Sequence, residues 1–80
     1  MRLDKFLKVS RIIKRRTVAR EFADGDRVLI NGRVAKPSSK VKPGDMITIN
    51  SGDRKTVYEV IDIQENIKAS EAKNLYKIIE

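Results

Sequence analysis

The side chains able to do chemistry crowd into one end of this chain. Residues 1–20 hold eight of the 18 Lys and Arg residues and one acid, Asp4, while residues 21–80 hold ten basic and ten acidic residues. The formal charge of +7 is therefore carried by the first quarter of the sequence. Arg and Lys at this density neutralise phosphates and release counterions, which points to a polyanionic partner. Arg adds planar, bidentate hydrogen bonding to phosphate and stacking on bases.

Catalysis has little to work with. The chain has no His and no Cys, so the commonest general base and the thiolate nucleophile are both missing. Its Ser residues have no evident base. Asp24, Asp26 and Asp45 could be imagined around a metal, but each sits beside a glycine in a turn, where Asp is a usual turn former. The four glycines are isolated turn residues and form no phosphate-cradling loop. The expectation is a binding protein, not an enzyme, with no catalytic residues, no metal site and no cofactor. No apolar run approaches the roughly 20 residues of a membrane span, and the N-terminus has no secretory pattern. We expect a cytoplasmic protein with no membrane role.

The elements that must carry these residues follow from periodicity. Leu3, Phe6 and Leu7 fall at i, i+3 and i+4, the stripe of a short helix, and Ser10-Arg11 marks a break. Val18, Ala19, Phe22 and Ala23 form the apolar face of a second helix. It is either capped by Thr17 or begins at Arg15 or Arg16, and Gly25 is its natural stop. Arg16 and Arg20 share one flank of it. Packed together, the two helices would put Arg2, Lys5, Arg11, Lys14, Arg15, Arg16 and Arg20 on a common outer surface.

From Arg27 the pattern alternates. Residues 27–30 read as a strand, Asn31-Gly32 as a hairpin turn, 33–35 as the return, 46–49 as a strand with Ile47 and Ile49 on one face, and 56–63 as a longer strand. Lys36–Lys40 is loop, and Lys42–Asp45 is a turn. Ser70-Glu71-Ala72 opens a short terminal helix that packs Leu75. The expected fold class is α+β: two N-terminal helices packed on a small antiparallel sheet, with a short C-terminal helix. Phe6 and Phe22 read as core, and Tyr58 and Tyr76 lie far in sequence from the basic stretch. Recognition of structured RNA by backbone and shape is expected over stacking on a single strand.

The order Arg2-Leu3-Asp4-Lys5-Phe6-Leu7, Ser10-Arg11, Lys14-Arg15, a helix ending at Gly25, Val28-x-Ile30-Asn31-Gly32, Lys36-Pro37-Ser38 and Val41-x-Pro43-Gly44-Asp45-x-Ile47 resembles the S4 RNA-binding domain, the alpha-L fold. The resemblance covers about residues 1–50 as the S4-like domain, with 51–80 expected to complete the same single domain. In length and in its tail the chain resembles the stand-alone members: the fifteen-kilodalton ribosome-associated heat-shock protein and, more closely and from end to end, the short RqcP-type quality-control factors. That resemblance implies binding to large ribosomal subunits obstructed by peptidyl-tRNA, through rRNA. It also implies stabilisation of the P-site tRNA while an RqcH-type factor adds alanines to the stalled chain. A monomer is expected. It assigns RNA contact to Arg2, Lys5, Arg11, Lys14, Arg15, Arg16 and Arg20. Asp4 belongs to the motif as the residue that orients an arginine such as Arg2 or Arg15. A weaker group is Lys36, Ser38 and Lys40, with Asn31 better explained as a turn former. Asp24 and Asp26 are expected to face away from RNA. The alternative reading is a DNA-binding regulator with helix-turn-helix-like basic helices.

Overall fold

A computed structural model describes residues 1–79. Helix α1 spans Leu3–Val9 and helix α2 spans Arg16–Asp24. Five strands follow: β1 Val28–Ile30, β2 Arg33–Val34, β3 Met46–Ser51, β4 Arg54–Val60 and β5 Tyr76–Ile78. A 3-10 segment, Ala69–Leu75, precedes β5. All neighbours in the sheet are antiparallel, in the order β2-β1-β3-β4-β5.

The apolar stripes decide the packing. Leu3, Phe6 and Leu7 of α1 and Ala19 and Ala23 of α2 are fully buried. They meet Val28, Ile47, Ile49 and Val60 on one face of the sheet. The small residues of α2 let the two short helices approach closely, so the charged side chains of both are forced to a shared outer side. Val18 and Phe22, expected as core, are only half-buried. Arg27 lies over the Phe22 ring, 5.5 Å from its centroid.

Neither helix has a side-chain N-cap; the N-cap residues are Arg2 and Arg15. Thr17 therefore lies inside the first turn of α2, the second of the two starts that the sequence allows. Helix α1 is capped by distant backbone. The Leu3 N–H donates to the Ser39 carbonyl at 2.8 Å and the Asp4 N–H to the Pro37 carbonyl at 3.1 Å. The loop over 36–41 thus satisfies orphan donors of the helix.

Helix α2 does stop at Gly25, but that glycine has φ −85° and is not the left-handed residue. Asp26 is, with φ +61°. The Arg27 N–H donates to the Phe22 carbonyl and the Asp26 N–H to the Ala23 carbonyl, a Schellman ending shifted one residue beyond the glycine. Helix α1 ends similarly, with Arg11 at φ +62°.

Asn31 and Gly32 have φ +52° and +82°, as a primed two-residue hairpin requires. The strand expected over 56–63 instead starts at Arg54 and ends at Val60. Beyond Val60 the chain turns away, and the N–H groups of Ile61 and Asp62 donate to the Leu75 carbonyl. The C-terminal segment adds a fifth strand, and Tyr76 packs edge-on to Tyr58 with centroids 5.4 Å apart. Leu75 is 1% exposed and belongs to the same core as α1 and β1.

Leu75→Ala is therefore expected to cost about 2–5 kcal/mol. That is a large share of the roughly 4–12 kcal/mol expected of a chain this long. Thermal melts followed by circular dichroism should show the whole transition shifted downward. An unshifted melt would mean that the C-terminal segment does not support the helices.

Candidate nucleic-acid interface

The site is built around Asp4, in the first turn of α1. Its side chain is 1% exposed. Arg2 Nε and Nη2 donate to its two oxygens, both at 3.2 Å, and Arg16 Nη2 donates to Oδ1 at 3.3 Å. Arg20 Nε lies 4.0 Å from Oδ2. Arg16 and Arg20 are one turn apart on α2, so packing α2 against α1 delivers both to the same carboxylate. Of the two arginines expected beside Asp4, Arg2 is hydrogen-bonded to it. Arg15 is not: it is the extended residue before α2, and the helical partners of Asp4 are Arg16 and Arg20. Periodicity puts Arg16 and Arg20 on one flank of α2 and leaves Arg15 off it, and the packing of α2 on α1 turns that flank onto Asp4.

Burial alone would push the Asp4 carboxyl up. The hydrogen bonds from Arg16 and Arg2, with their charges, outweigh it and hold the carboxyl below its ordinary value. The three arginines keep 43–59% of their side chains exposed. Each guanidinium has five donors in a fixed plane and spends at most two on Asp4, so the others face outward. Three cations around one carboxylate form a net-positive patch, in which hydrogen bonds to Asp4 orient the guanidiniums of Arg2 and Arg16 before any anion arrives.

The remaining sequence-predicted residues divide by position. Lys40 stands opposite Arg2 through an isolated antiparallel bridge, so it extends the arginine patch. Lys36 is instead ion-paired to Asp26 at 3.0 Å. Ser38 is exposed in the same loop. Lys5 reaches the other way and pairs with Glu65. Lys14 and Arg15 are exposed between the helices, and Arg11 lies at the far end of α1 from Arg2.

Two polar residues are committed internally. Asn31 is a turn residue, as expected; its side chain also accepts the Met46 N–H and donates to Asp45. Asp45 is buried and closes its turn by accepting the Lys42 N–H at 3.0 Å and Lys42 Nζ at 2.7 Å. Asp26, turned toward Lys36, does not oppose the arginine patch. Arg27 was absent from the sequence-based set, because nothing in the local pattern indicates that it would pack on Phe22.

The family model for the S4 domain matches residues 1–47. A Bacillus subtilis (strain 168) protein named RQC P-site tRNA stabilizing factor is 52% identical over 80 residues, which cover 100% of this chain and 93% of that protein. Heat shock protein 15 of Escherichia coli (strain K12) is 38% identical over 78 residues, covering 96% of this chain and 59% of that one. A trimeric structure of Vibrio cholerae Heat Shock Protein 15 superposes with a TM-score of 0.89 at 36% identity, over 99% of this chain and 81% of that chain.

Because the Asp4 carboxyl is held below its ordinary value, its contribution to stability is present at neutral pH and is lost as pH falls through the depressed value. Asp45 is shifted in the same direction: burial raises it, and the hydrogen bonds from Lys42 and Asn31 lower it further. Asp4→Asn should cost about 1.5–3 kcal/mol at neutral pH, since the half-exposed arginines can turn to water. It should also flatten, without abolishing, the loss of stability below about pH 5. Urea melts of both proteins across pH test this. Equal acid sensitivity would show that Asp4 is not the linked group.

Proposed function

The chain belongs to the S4 domain family, and on that premise we propose that it is an RNA-binding factor of ribosome-associated quality control. The observation that carries the reading is the single buried Asp4 shared by Arg2, Arg16 and Arg20. A carboxylate that gathers three guanidiniums, two of them hydrogen-bonded to it, suits a phosphate backbone of defined shape better than a diffuse polyanion. The name of the Bacillus subtilis relative, at 52% identity across the whole chain, supplies the context.

In this reading the arginine patch and Lys40 bind rRNA of the obstructed large subunit. Lys14 and Arg15, exposed between the helices, reach toward the peptidyl-tRNA. Holding that tRNA in the P site keeps the stalled chain available for C-terminal alanine addition by an RqcH-type factor. The role is one of positioning, without catalysis by this chain. Residues 51–80 act with 1–50 as one domain, because β4 and β5 continue the sheet begun by β1 and β3. The factor works in the cytoplasm as a monomer on the ribosome. Among the described residues no helix is long and apolar enough to cross a membrane. The DNA-binding alternative is less well supported, since α2 turns Arg16 and Arg20 onto Asp4 and presents no Asn or Gln for reading base edges.

Arg16→Ala and Arg2→Ala should each weaken association with purified large subunits about tenfold or more. Each should also make the salt dependence of binding shallower by about one unit of slope. Co-sedimentation at several salt concentrations measures both. Wild-type-like sedimentation of both variants, or a preference for duplex DNA over rRNA in competition, would overturn the reading.

A further inference from the structure

At the opposite end of α1 from the arginine patch lies an open groove of about 460 Å³. Three cations line it: Lys8 at the end of the helix, Arg11 just beyond it, and Lys68 before the 3-10 segment. Among the described residues none of the three has a carboxylate within ion-pair distance, unlike Lys5, Lys36 and Lys42. The groove also has an apolar part. Val9 and Ile67 are half-buried and packed against the core, so their positions are fixed. Asn66 is exposed beside them and offers an amide with both donors and an acceptor. The one acid on the lining, Glu65, is matched by Lys5.

Arg11 is held there at some cost. Its φ of +62° is left-handed, which disfavours a residue with a Cβ. The turn is locked by Ser10, which is buried and whose hydroxyl donates to the Leu7 carbonyl and accepts the Ile12 N–H. This helix-ending turn places Arg11 on the lining of the groove.

We propose that this groove takes one unstacked nucleotide of the bound RNA, with its base on Val9 and Ile67, its edge read by Asn66, and its phosphate held by Lys8, Arg11 and Lys68. The proposal rests on the reading that the chain binds RNA. Size is consistent with a single nucleotide: the groove falls within the roughly 300–1,000 Å³ of small-ligand sites. Position supports it as well. Helix α1 is seven residues, or about 10 Å, long. A strand lying on the arginine patch therefore reaches the groove within about three nucleotides. The combination of apolar shelf, amide and cations suits a nucleotide more than an acidic peptide, which would leave the shelf unused.

The test is a nitrogen–proton correlation titration of the full chain with AMP, UMP, inorganic phosphate and a phosphoserine peptide in turn. AMP or UMP should shift the signals of Lys8, Arg11, Asn66 and Ile67, with inorganic phosphate binding more weakly. Lys68→Glu, at an exposed position, should weaken nucleotide binding about tenfold or more and leave the unliganded spectrum folded. The proposal is overturned if nucleotides leave the groove signals unmoved, if phosphate binds as tightly as the nucleotides, or if the phosphopeptide binds best. Large-subunit co-sedimentation run in parallel separates the two readings. Wild-type protein that sediments with subunits but shows no nucleotide shifts keeps the RNA reading and removes the groove. Nucleotide shifts without subunit association keep the groove and count against the ribosomal role.

Discussion

The Asp4 carboxylate is charged and 1% exposed, and it sits where two helices meet. An uncompensated charge in such a place would cost several kcal/mol, so its partners are obligatory. Arg2 supplies part of the compensation locally, and Arg16 and Arg20 supply the rest only when α1 and α2 are packed. The same carboxylate orients the guanidiniums of Arg2 and Arg16 by hydrogen bonds and draws Arg20 to their side. Stability and the binding surface are thus one interaction seen from two sides. A carboxylate in the middle of a cationic patch looks contradictory by charge alone. It is coherent because the acid is buried and the unspent arginine donors face water.

The helices, being short, could not hold that arrangement unaided. Helix α1 has seven residues and no side-chain cap, and isolated helices of such length are marginal. Its first donors are met by the carbonyls of Pro37 and Ser39, contributed by the loop that follows the β1–β2 hairpin. That loop is anchored in turn, since the Val41 N–H donates to the Met1 carbonyl. Close by, the second buried carboxylate, Asp45, closes the turn into β3 and accepts a hydrogen bond from Asn31 in the hairpin turn. The sheet and its turns therefore position the N-terminal helix, although the basic residues it displays are remote from them in sequence.

The basic face is not uniform. Arg2, Arg16 and Arg20 are ordered by Asp4, while Lys5 and Lys36 are tied to Glu65 and Asp26. Lys8, Arg11 and Lys68 line a groove instead of a flat surface. A count of positive charges treats these groups alike, yet the orientation of each sets which phosphates it can meet. Exposed pairs such as Lys36–Asp26 contribute little to stability, so they can yield to a polyanion at small cost.

Much of the fold was legible in the sequence because it depends on local chemistry. The apolar spacing of Leu3, Phe6 and Leu7 determined α1, and the small residues of α2 determined its buried side. Asn31-Gly32 determined a hairpin because few other pairs tolerate two positive φ values. The charge asymmetry determined that the net positive charge is carried by the N-terminal helices. What the tertiary structure decided are relations between residues distant in sequence. That Asp4 joins Arg16 and Arg20, and not Arg15, follows from how α2 lies across α1, which propensity does not encode. That β4 stops at Val60 follows from the Leu75 carbonyl, which takes the next two donors. In both cases a backbone or charged group found a nonlocal partner, and burial made that partner necessary.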